Sequence, residues 1–136
     1  RLTSNGHRHV EMAHVHRYMS YSMNTYADIS ADERKKLLVE GVDAVVALPG
    51  GCGTLEELSE VITLKRLGKF TKPIIILNLD GFYDPLQMLL DRMVEERFMR
   101  PEHQRMYTFV ERAEDIIPAI KSAPVWDADA IAFAAV

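Results

Sequence analysis

The stretch "DAVVALPGGCGTLEEL", from Asp43 to Leu58, constrains the fold more than any other part of the chain. Its first half is a short apolar run rich in β-branched residues, the make-up of a strand buried on both faces. Pro49, Gly50, Gly51 and Gly53 then break the run, and a helix-forming segment follows at once. The spacing predicts a helix from Thr54 to about Leu67, stopped by Gly68. A strand that turns through glycines into a helix opens a βα unit. A parallel sheet flanked by helices is therefore expected.

The remaining signals repeat that alternation. "SADE" reads as a capping box with Ser30 as N-cap and Glu33 three positions on, starting a helix that runs over 31–40 to Gly41. "KPIIILNLD" is a second buried strand and "GFYD" its turn. A helix from about Pro85 to Arg97 carries Leu86, Leu89, Leu90 and Met93 on one side. "RMYTFV" is a third strand candidate, and "RAEDIIPAIKS" a last helix that Pro118 bends or shortens. One α/β domain over 1–136 results, with its core at 31–122. Residues 1–30 are weakly periodic, with Val10, Ala13, Arg17 and Tyr21 sharing one conceivable helix face. The apolar tail 123–136 is expected to dock or to be foreign to the domain.

Ligands of open parallel sheets bind beyond the carboxyl ends of the strands. The loop Pro49–Gly53 stands at such an end. Its glycines allow positive φ and remove the Cβ atoms that would hold a ligand away. The helix that follows offers unpaired N–H groups and the positive end of its dipole, which suits a phosphate. The chain carries a formal charge of −4, so an anion must be held at such a local site rather than by a basic surface, and no nucleic-acid partner is expected. The loop is neither a Walker A sequence nor G-x-G-x-x-G, and a plain tight turn is the competing reading.

Two readings also stand open for the glutamates. Thr54 and Glu57 have capping-box spacing, in which Glu57 only bonds back to the Thr54 backbone. Alternatively, Glu57 heads an apolar stripe with Val61 and Leu64, where a carboxylate beside a phosphate seat suits acid–base work. Glu56 aligns instead with Glu60 and Thr63, a solvated stripe.

"PGGCGTLEE" resembles the PGGxGTxxE signature of the Lonely Guy (LOG) family, also labelled lysine decarboxylase-like. The likeness extends from about Asp32 to Ile120 through "ERKK", "KPIIILNLDGFYDPL" and "MVEERFM". It implies a Rossmann-like fold and a phosphoribohydrolase that cuts the N-glycosidic bond of a nucleoside 5'-monophosphate, releasing base and ribose 5-phosphate. The family's catalytic pair falls on Arg34 and Glu57. Lys35 of the R-K motif, with Pro49, Gly50, Gly51, Gly53 and Thr54, falls on its substrate-binding positions. AMP or a cytokinin riboside monophosphate is the implied substrate, and a homodimer the implied assembly.

Chemistry and residues agree. Ribosyl transfer passes through an oxocarbenium-like state, which a carboxylate stabilises while activating water. Arg34 shares a face with Leu37 and Leu38 and is expected to orient Glu57 or to contact the substrate. Nothing in that reading needs a cofactor, and Lys65, Lys69 and Lys72 stand in no pyridoxal phosphate context.

Family members usually begin with a further βαβ portion that holds a second glycine-rich loop. Before Arg34 this chain has only Gly6, so the expected sheet lacks that portion. A short sheet leaves an edge for a partner to cover. A non-catalytic nucleotide- or phosphate-binding module of the same fold is the alternative, and a cassette that only associates with a longer partner is a third reading. His7, His9, His14 and His16 form two H-x-H pairs that no single element gathers, and no metal site is expected. Cys52, the one cysteine, fits a reducing, cytoplasmic setting without a membrane span.

Overall fold

The computed structural model describes residues 41–127 and 129. The expected helix over 31–40, with Arg34 and Lys35, lies outside the described residues. So do the histidine-bearing segment and the question of an N-terminal βαβ portion.

Among the described residues three parallel strands form a sheet, in the order β1 (Val45–Ala47), β2 (Ile74–Leu77), β3 (Thr108–Val110). Val45 pairs with Ile74 and Ala47 with Ile76, while Ile75 pairs with Thr108 and Leu77 with Val110. β2 is central and buried along its whole length, which explains why its sequence is an unbroken apolar run rather than an alternation. The α/β class expected from the βα pattern is the class observed.

The pleat sends successive residues to opposite faces. Ala47, Ile74 and Ile76 pack under α1 (Cys52–Arg66) and α2 (Asp84–Glu95) with Leu58, Val61, Ile62 and Leu90. Val46, Ile75 and Leu77 meet Ile116 of α3 (Ile116–Ser122) on the other face. Helices therefore cover both sides of the sheet.

α1 ends as expected. Leu67 is its C-cap and Gly68 takes φ +71°. Gly68 N–H donates to the Lys65 carbonyl (3.0 Å) and Lys69 N–H to the Leu64 carbonyl (2.9 Å). That pair of bonds is a Schellman closure, which needs a residue that tolerates the left-handed region. α2 stops two residues before the expected end, with Arg97 left-handed at φ +65°.

Two expectations need correction. Only Thr108–Val110 of "RMYTFV" is strand, because Pro101–Met106 forms a 3-10 helix in which His103 Nδ1 accepts the Arg100 N–H at 3.0 Å. Pro101 starts that turn with the φ it is locked to, and Met106 is delivered to the core as a plug rather than as a strand residue. The last helix begins as a 3-10 turn at Ala113–Asp115 and becomes α only from Ile116. Pro118 sits in its first turn, where a missing N–H costs nothing. Trp126 is held against α1, its indole N–H donating to the Lys65 carbonyl (2.7 Å).

Candidate functional site

The glycine loop leaves the carboxyl end of β1 and runs straight into α1. Gly51 is the N-cap, extended at φ −91°, ψ −159°. The first helical bond runs from Leu55 N–H to the Gly51 carbonyl (3.1 Å). Thr54 is therefore the third residue of the helix and not its cap, so Thr54 and Glu57 do not stand at capping-box positions. Glu57 is the sixth residue of the helix, in its second turn rather than at N3.

The Thr54 side chain is buried under Gly50, and a Cβ on Gly50 would overlap its hydroxyl. Gly50 is thus required by close approach. Positive φ plays no part in this loop: among the described glycines only Gly41, Gly68 and Gly81 take it. Gly51 and Gly53 are different again. A Cβ on either would meet none of the described residues, and neither φ excludes a side chain. The internal packing of the described residues does not ask for glycine at these two positions. The open side they face is where an approaching ligand would profit from a bare backbone.

Glu57 is half-buried on the stripe with fully buried Val61 and half-buried Leu64, while Glu56 is exposed. Glu57 and Glu56 thus differ in burial as their helical spacing predicts. The structure brings Pro49, Gly50, Gly51, Gly53, Thr54 and Glu57 together in one loop and the helix it opens.

Sequence reasoning missed what holds that loop. The Tyr83 hydroxyl donates to the Leu48 carbonyl at 2.7 Å, across 35 positions of sequence. The Tyr83 N–H in turn donates to Asn78 Oδ1 (2.6 Å), and Asn78 Nδ2 donates to Asp84 Oδ1 (2.7 Å). "GFYD" signalled only a turn, and no periodicity encodes a contact of that range. Burial raises the Tyr83 phenol above its ordinary value, so it stays a donor through the neutral range.

Between α1 and α2 lies an apolar groove of about 700 Å³, lined by Leu55, Leu58, Ile62, Leu89 and Met99 and by Phe98 beyond α2. Phe98 is 70% exposed and Leu89 52%. Among the described residues there is no group of acidic, histidine or cysteine side chains that could hold a metal, and no helix is long and apolar enough to cross a membrane.

A protein-family model described as "Possible lysine decarboxylase" matches residues 9–120. The chain is 42% identical over 102 residues to the cytokinin riboside 5'-monophosphate phosphoribohydrolase LOG of Oryza sativa subsp. japonica, covering 70% of this chain and 42% of that protein. It is 39% identical to the cytokinin riboside 5'-monophosphate phosphoribohydrolase LOG7 of Arabidopsis thaliana, over 70% of this chain and 48% of the relative. LOG2 of the same plant, named for the same activity, is 39% identical over 74% of this chain and 52% of its own length. The chain spans about half the length of the curated relatives it matches.

Proposed function

The chain belongs to the family described as possible lysine decarboxylases, and on that premise we propose that it acts as a nucleoside 5'-monophosphate phosphoribohydrolase. The observation that carries the reading is the pair Gly51 and Gly53. Both present bare backbone on an open side at the N-terminus of a 15-residue helix, and the described packing does not account for either glycine. A 5'-phosphate there would meet unpaired N–H groups and the positive end of the helix dipole. Lys35 and the segment Pro49–Thr54 bind the ribose phosphate in this proposal.

Glu57 then serves as the carboxylate at the ribosyl centre. It takes the proton of an attacking water as the water oxygen bonds to C1' of the ribose and the C1'–N bond to the base breaks. The base leaves with the bonding electrons and acquires a proton. Charge that develops on the ring is stabilised by the same carboxylate, while Arg34 orients it. The proposed substrates are AMP or a cytokinin riboside monophosphate, because the similar proteins are named for the latter. The proposed setting is a cytoplasmic homodimer, with the apolar groove between α1 and α2 supplying the contact.

Incubation with AMP and with a cytokinin riboside monophosphate tests the reading, following free base and ribose 5-phosphate. Release of both products is the expected result. Binding of AMP without release would leave the non-catalytic module as the better account.

A further inference from the structure

We propose that Tyr83, seated by Asn78, is a positioning residue that holds the glycine loop in register for the phosphate. This rests on the loop being the phosphate seat.

β1 ends its ladder at the pair Ala47–Ile76. The next carbonyl, that of Leu48, lies just before Pro49 and has no strand partner in that ladder. A half-buried backbone acceptor without a partner is costly, and the Tyr83 hydroxyl supplies the donor. Tyr83 is itself fixed at three points. Its N–H is bound to Asn78 Oδ1, its ring meets Phe82 edge to face at 4.9 Å, and its side chain is buried. Asn78 is anchored in turn, because its N–H donates to the Val110 carbonyl at 2.7 Å and its Nδ2 to Asp84. One chain of hydrogen bonds thus ties the carboxyl ends of β3, β2 and β1 together, and its last link is the residue before the glycine loop.

The turn that allows this is a strained one. Asp80 takes φ +51° and Gly81 φ +74°, and a Cβ on Gly81 would come within 2.7 Å of Asp84 Oδ2. A left-handed aspartate is an uncommon conformation that surrounding contacts must enforce. A phenylalanine would fill the same volume as Tyr83, so packing alone does not explain the hydroxyl. What the hydroxyl adds is the position of Leu48, and with it the direction in which Pro49–Thr54 leaves the sheet.

Tyr83→Phe and Asn78→Ala, made in the full chain, test the proposal by backbone relaxation, calorimetric titration with AMP and base-release kinetics. In Tyr83→Phe, order parameters at Gly50, Gly51 and Gly53 are expected to fall from the rigid range near about 0.85 toward about 0.6. AMP affinity is expected to weaken about five- to tenfold, as for one lost hydrogen bond, with KM raised and kcat little changed. Asn78→Ala should do the same without touching the loop, and the exchange of Asn78→Asp with Asp84→Asn should restore part of the affinity. Unchanged loop order parameters together with unchanged affinity, whatever happens to thermal stability, would overturn the proposal. If the wild type binds no AMP, the phosphate seat fails. The relaxation data still decide whether Tyr83 holds the loop.

Discussion

The side chain of Thr54 occupies the space that a Cβ on Gly50 would need. The two residues are four apart, on opposite sides of a helix start, and the threonine is buried between the helix and the loop. Gly50→Ala is therefore expected to destabilise the fold by about 1–3 kcal/mol, as overpacking does. In a Thr54→Ala background the same change should cost clearly less, since the hydroxyl and methyl it strikes are gone. Thermal unfolding of the four proteins checks this.

Gly53 carries the opposite expectation. It is helical and a Cβ there meets none of the described residues, so Gly53→Ala should stabilise by about 0.5–1 kcal/mol. The same methyl group would stand where a phosphate is proposed to sit. Stability should rise while AMP affinity falls in calorimetric titration. A gain in stability at full affinity would count against the phosphate seat.

Glu57 is too far into α1 to cap it, so its replacement tests chemistry rather than helix initiation. Glu57→Gln is expected to lower base release by about 10²-fold or more. Glu56→Gln, on the exposed stripe one residue away, should leave turnover nearly intact. Arg34→Ala should match Glu57→Gln, and the double variant should fall well short of the product of the two effects.

Lys65 is almost wholly buried and donates to the Lys72 carbonyl at 2.8 Å. Burial pushes its ammonium down to about 8. An unfolded lysine keeps its proton to about 10.4. Between about pH 8 and 10 the unfolded chain therefore holds more protons than the folded one, and stability should rise with pH. Above about pH 10 the trend reverses. Burial, aided by Asp91, pushes the Tyr107 phenol up to about 12. The folded chain then keeps a proton the unfolded chain has lost. Melting temperatures across pH 7–12 should show that maximum, and Lys65→Met should abolish the rise between about 8 and 10.

The groove between α1 and α2 leads to the last expectation. Leu55, Leu89 and Phe98 expose apolar surface around it. Light scattering should give a dimer at micromolar concentration, and Leu89→Glu should shift it toward monomer. A wild-type monomer under those conditions would refute the proposed assembly.

The βα alternation, the buried central strand, the stop at Gly68 and the separation of Glu56 from Glu57 were all legible in the sequence. Each depends on local physics. Unbroken β-branched runs cannot be solvated, a Schellman end needs a left-handed residue, and helical spacing alone decides which of two adjacent acids turns inward. The start of α1 was not legible. "T-x-x-E" is a sound local cap signal, yet the Thr54 side chain is drawn under Gly50 instead, and Gly51 takes the cap. Nor could spacing distinguish the reasons for the glycines: Gly50 yields to a neighbour, while a Cβ on Gly51 or Gly53 meets none of the described residues. The bond from Tyr83 to Leu48 joins positions 35 apart. Only the pairing of β1 with β2 brings those positions together, and there the carbonyl just past β1 finds its partner in the turn after β2. The sequence by itself determined the elements and the loop between them. Tertiary packing decided where that loop points, because the hydrogen bonds that aim it come from strands distant in the chain.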